Sequence, residues 1–133
     1  MIVVETSALV AIVFDEPECS DFVSAIMSAD LALVSAVSVV EARVVVYRRK
    51  GEQVVRVLDE FLAQPVFEIV PPGADEIAAA HAAFIVYGKG SGHRAQLNFG
   101  DLFSYALAKV RGLPLLFKGD DFGCTDIVQA GDD

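Results

Sequence analysis

The sequence predicts an α/β sandwich on a mainly parallel sheet, and three observations carry that reading. Four short apolar runs, MIVV, LALV, VFEIV and LPLLF, have the length of buried strands and alternate with longer segments of helical periodicity. Helices between successive strands bring each strand back parallel to the last. The apolar fraction, 54% against 22% charged, is ample for a core, and a length of 133 residues suits one domain, so residues 1–133 read as a single unit.

Residues 1–4 form the opening strand, after which Thr6 or Ser7 caps a helix running through Leu9, Val10 and Val13. Glu16 and Pro17 open a second helix with Phe22, Val23, Ile26 and Met27 on one face. Residues 31–34 read as the second strand, and Ser35 caps a helix to about Lys50. Val39, Val40, Val44, Val45 and Val46 are β-branched and would also suit a strand, but the length of the segment favours the helix. A further helix from about Glu52 to Ala63 stops before Pro65, because the residue before a proline avoids helical backbone. Residues 66–70 form the third strand. An alanine-rich helix then spans Asp75 to about Tyr87, and residues 88–100 make a glycine-bearing loop long enough to be functional. The helix from Asp101 to Arg111 ends at Gly112, residues 113–117 form the fourth strand, and KGDDFG turns. The segment after Asp126 carries no pattern.

No apolar run reaches the roughly 18 residues of a membrane span, and the amino terminus lacks the basic region of a secretory signal, so a cytoplasmic protein without membrane contact is expected. Cys19 and Cys124 have neither metal-ligand spacing nor disulfide density and read as reduced thiols. A net charge of −9 argues against a general nucleic-acid coat protein. Half of the ten basic side chains fall at Arg43, Arg48, Arg49, Lys50 and Arg56, and Lys89 and Arg94 stand beside His93 in another group. Solubility and helix ends explain both groups as well as ligand binding does, since cations suit helix carboxyl ends.

Four carboxylates stand in apolar surroundings where a spare negative charge is costly: Glu5, Glu41, Asp101 and Asp120. In a parallel α/β sheet the ligand crevice lies beyond the carboxyl ends of the strands, where Glu5 and Asp120 fall, and Glu41 and Asp101 lie on helices that can reach the same edge. Acids brought together this way repel one another and call for a divalent cation. Each also has a bland explanation. Asp101 suits a helix amino end, Asp120 and Asp121 suit a turn, and Glu5 suits a strand end. Glu41 is harder to explain away, because its helical neighbours Val37, Ser38, Val44 and Val45 offer no basic partner. Thr6, Ser7, Asn98, Ser104 and Thr125 are candidates to orient the acids or bound waters. His81 and His93 are too far apart for a local zinc motif, and no nucleophile-elbow pattern is present.

MIVVETSALVAI, SAVSVVEA, LNFGDLFSYALAK and PLLFKGDDFGCTDI, taken in this order, resemble the PIN-domain ribonuclease toxins of the VapC family of bacterial toxin-antitoxin pairs. The resemblance spans nearly the whole chain. It implies a PIN-like three-layer sandwich with a four- or five-stranded sheet, and a Mg2+- or Mn2+-dependent endoribonuclease. Glu5 and Asp101 would be the principal metal ligands, Glu41 and Asp120 would complete the catalytic acidic pocket, and Thr6, Ser7, Asn98 and Asp121 would support it. The partners implied are an RNA substrate, a VapB-type antitoxin covering the acidic groove, and a second copy of the chain as a homodimer, with DNA contacted only through the antitoxin.

One departure bears on activity. The family usually carries Asp after the opening strand, whereas Glu5 is longer by one C–C bond, roughly 1.5 Å, and functional geometry is commonly held to about 0.5 Å. A weakened PIN scaffold that still binds antitoxin or RNA is therefore the alternative. A phosphoacceptor receiver fails on detail, because it wants paired acids after its first strand and an Asp closing its third, while VFEIV runs into Pro71 and Pro72.

Overall fold

The computed structural model describes residues 1–131. Strand β1 (Ile2–Val4) is followed by helices α1 (Thr6–Val13) and α2 (Cys19–Met27), strand β2 (Ala32–Ser35), and helices α3 (Ala36–Lys50) and α4 (Glu52–Leu62). Strand β3 (Phe67–Val70), helices α5 (Ala74–Tyr87) and α6 (Phe99–Arg111), strand β4 (Leu115–Leu116) and a 3₁₀ turn at Phe122–Cys124 complete it. The sheet order is β3-β2-β1-β4 and every pairing is parallel. The chain leaves β1 in one direction for β2 and returns on its other side as β4, which makes the carboxyl ends of β1 and β4 the switch point of the sheet.

Alternation along the strands builds the two outer layers. Val4, Ala32, Val34 and Leu116 face one core with Leu9, Ile26 and Leu58 from α1, α2 and α4. Val3, Leu33 and Leu115 face the other, with Ala80 and Ala83 from α5 and Tyr105 and Leu107 from α6. Neighbouring strand residues point to opposite faces, so apolar runs buried on both sides are what a sheet covered by two helical layers requires. Among the described residues no helix is long and apolar enough to cross a membrane.

Several boundaries differ from the sequence reading. Helix α1 is capped by Glu5, whose side chain accepts from the Ser7 N–H, and not by Thr6 or Ser7. Helix α2 begins at Cys19, and Glu16 and Glu18 before it form ion pairs with Lys118. Helix α6 starts two residues before Asp101, at Phe99, with Asn98 as its cap. The tail is structured: Leu115 N–H donates to Val128 O and Ala130 N–H to Leu115 O, adding a strand-like edge beside β4. Asp126 anchors this tail by accepting from the Tyr105 hydroxyl and from Lys109 Nζ, both at 2.6 Å.

Gly112 closes α6 in the left-handed conformation, φ 65 and ψ 37, with no atom near enough to oppose a Cβ. Gly112→Ala should therefore lose stability by backbone strain alone, about 1–2 kcal/mol, read as a lower urea midpoint at unchanged slope.

Candidate active site

At the switch point Glu5 ends β1 and turns its carboxyl inward, leaving it 3% exposed. Its backbone N–H donates to Leu116 O at 3.0 Å, which locks the residue between β1 and β4. Two donors reach its Oε2: the Ser7 N–H at 2.7 Å and the Ser7 hydroxyl. The Lys118 N–H in turn donates to Ser7 Oγ at 2.8 Å. A hydroxyl that accepts from a backbone N–H points its own proton elsewhere, so Ser7 is held as a donor to Glu5.

Asp101 is the third residue of α6 and half of a reciprocal cap. Its N–H donates to Asn98 Oδ1, and its Oδ2 accepts from the Asn98 N–H, each at 2.9 Å. This box satisfies two helix-end donors and fixes the rotamer of Asp101, which is 8% exposed. Glu41, half-buried on α3, reaches the amino end of α6 and lies against Gly100.

The electrostatics join these three acids. Burial pushes the Glu5 carboxyl up to about 7; bonds from Ser7 oppose this, and the charges of Asp101 and Glu41 add to it. Burial likewise pushes Asp101 up to about 6; the Asn98 bond opposes this, the charges of Glu41 and Asp121 add to it, and a hydrogen bond with Glu5 opposes it. The Glu5 and Asp101 carboxyls are thus near enough to bond to one another.

Asp120 and Asp121 are both exposed on the turn after β4, and of the two it is Asp121 whose charge is felt at Asp101. Of the polar residues singled out by sequence, Ser7 and Asn98 touch the acids directly. Thr6 Oγ1 is buried next to Glu5 with no hydrogen-bond partner among the described residues. Ser104 instead bonds Ser38, at 2.8 Å between hydroxyl oxygens, and Thr125 donates to Phe122 O. His93 accepts from the Ala95 N–H and packs edge-on against Tyr87, shaping the loop. Of the basic cluster on α3, Arg43 pairs with Asp59, and Arg49 lies over the Phe14 ring.

A family model described as PIN domain matches residues 2–127. The chain belongs to the PIN-domain family. Within it the chain is of the VapC type. Ribonuclease VapC30 of Mycobacterium tuberculosis is 48% identical over 125 residues, covering 94% of this chain and 95% of its own. Two solved structures share the fold at 18% identity. Mycobacterium tuberculosis VapC20, described as a sarcin-ricin loop cleaving toxin, has a TM-score of 0.81 with 98% of both chains covered. A toxin-antitoxin complex from Klebsiella pneumoniae has a TM-score of 0.70, covering 100% of this chain and 99% of that one.

The donor set of this PIN domain suits a hard divalent cation. All its groups are oxygens, two carboxyls are desolvated in each other's field, and the buried hydroxyl of Thr6, next to Glu5 in sequence, has no partner among the described residues. Among the described residues no three His, Cys, Asp or Glu side chains are gathered closely enough to hold an ion by themselves.

These shifts fix the pH behaviour of the metal-free PIN domain. Both acids are raised in the folded state, so their contribution to stability is full below the ordinary carboxylate range. It is lost as pH climbs through about 6 for Asp101 and about 7 for Glu5. Thermal unfolding in EDTA should show Glu5→Gln matching the unsubstituted protein near pH 4 and exceeding it near pH 8, by a margin on the order of 1–3 kcal/mol.

Proposed function

We propose that this chain is a metal-dependent endoribonuclease, the toxin of a toxin-antitoxin pair, which hydrolyses RNA phosphodiester bonds at the pocket of Glu5, Glu41 and Asp101. The observation that carries this reading is the burial of Glu5 and Asp101 in each other's field, with hydroxyl and backbone donors around them. The ribonuclease relatives supply the reaction class, and the net charge of −9 leaves a bound cation as the attraction for phosphate.

In this reading Glu5 and Asp101 hold Mg2+ or Mn2+, with Glu41 binding directly or through water. Such an ion lowers the pKa of bound water and stabilises charge on the phosphate. Ser7 keeps Glu5 aimed through its hydroxyl and N–H, and Asn98 keeps Asp101 in one rotamer. Glu41, the least buried of the three, would take a proton from the attacking water. Asp121 serves better than Asp120 as the fourth acid, because its charge reaches Asp101.

A VapB-type antitoxin arm bearing Arg or Lys would cover this acidic pocket in the cytoplasm, with DNA contacted by the antitoxin alone. The toxin-antitoxin complex among the fold neighbours supports such a partner. Exposed Ile77, Phe84 and Phe99 line an apolar groove between α5 and α6 that supports a protein contact, a second copy of the chain included.

Structured and unstructured RNAs incubated with Mg2+ or Mn2+ should be cleaved. EDTA and Asp101→Ala should each abolish cleavage, and survival of cleavage in Asp101→Ala would refute the assignment. One observation favours a second, weakened form of the same reading: Glu5 is both the helix cap of α1 and a doubly bonded partner of Ser7. If its length displaces the ion, Glu5→Asp should raise both Mn2+ affinity and cleavage rate; equal values in the two proteins would leave Glu5 fully competent.

A further inference from the structure

We infer that Gly100 is a positioning residue for Glu41: its missing side chain opens the slot in which the Glu41 carboxylate is held against the amino end of α6, one residue from Asp101. A Cβ built on Gly100 would fall 2.6 Å from Glu41 Cδ and 2.7 Å from Oε1, and closer still to Oε2. Atoms do not pack at such distances, so any side chain here expels the carboxylate from its place.

Neither the backbone nor the helix asks for this glycine. Gly100 is absent from the glycines with positive φ, so no turn demands it. In a helix, alanine is better than glycine by about 1 kcal/mol. The cap of α6 is made by Asn98 and Asp101 without Gly100. What the glycine does provide is approach. One turn along each helix, the wholly buried hydroxyls of Ser38 and Ser104 bond at 2.8 Å, so small residues set both the separation and the register of α3 on α6. Ser38 lies three residues before Glu41 and Ser104 four after Gly100, which puts both contacts on the facing sides of the two helices. Glu41 has no basic partner on its own helix, yet its charge is felt at both Glu5 and Asp101. Its place beside Asp101 is thus open because Gly100 carries no side chain.

The inference rests on the reading that this pocket binds a divalent cation, and a double-mutant cycle separates the two. The cycle comprises Gly100→Ala, Glu41→Asp and both together; Asp at 41 is shorter by about 1.5 Å and clears an alanine Cβ. Mn2+ affinity is measured by calorimetry, and thermal unfolding is followed in EDTA. Gly100→Ala should weaken Mn2+ binding roughly 10-fold or more, and the double variant should bind more tightly than Gly100→Ala alone. Mn2+ binding by Gly100→Ala within twofold of the unsubstituted protein, or a double variant no tighter than Gly100→Ala, overturns the inference. Should Gly100→Ala fail to fold, the double variant must restore folding, and its failure is equally decisive. If the unsubstituted protein binds no Mn2+, the cation reading falls, and the slot is judged by unfolding alone: coupled shifts in Tm uphold it and additive shifts overturn it.

Discussion

Two carboxyl groups taken out of water, Glu5 and Asp101, are the constraint around which this fold is arranged. An ionised acid buried without compensation costs several kcal/mol, and the protein offsets that cost with hydroxyl and backbone donors. Ser7 serves Glu5 and Asn98 serves Asp101. Helices α1 and α6 both begin at the carboxyl edge of the sheet, so the positive ends of their dipoles face the acids. The compensation is partial, which is why both groups remain raised.

The cation beside this edge is engaged elsewhere. Lys118 stands two residues after β4 and its N–H touches Ser7, yet its ammonium group pairs with Glu16 and Glu18. Away from the edge, Lys109 in the last turn of α6 is held by Asp126, and Arg43 by Asp59 on the outer surface. A lysine turned into the pocket would neutralise it and fill the space an ion and its waters need. Keeping Lys118 tied to the α1–α2 turn leaves the pocket both negative and open.

Most of the fold was legible because its signals are local. Short apolar runs and helical spacing depend on neighbours in sequence, and the strand and helix order follows from them. Ser35 capping α3 is such a case, as is Gly112 ending α6. The misread boundaries are places where a distant partner or an unusual cap decides. Glutamate is a poor cap by preference, so Thr6 and Ser7 were the natural choices until burial gave Glu5 the task. The Asn98 and Asp101 spacing was visible as a possible capping box, and weighing it would have moved the start of α6 back to Phe99. Asp120 and Asp121 are indistinguishable by type and both exposed, and only the path of the turn makes Asp121 the one whose charge is felt at Asp101. The pairing of the tail with β4 rests on two short contacts that leave no pattern.

The link from Lys118 through Ser7 to Glu5 ties the last strand to the first turn. Asp101 and β4, one of the two strands paired with β1, are likewise encoded late in the chain. While the protein is being synthesised, the amino-terminal acid emerges from the ribosome long before the groups that bury and orient it. The pocket therefore has no half-built form: residues as late as Lys118 must have emerged before the acid of the first turn can be buried and oriented.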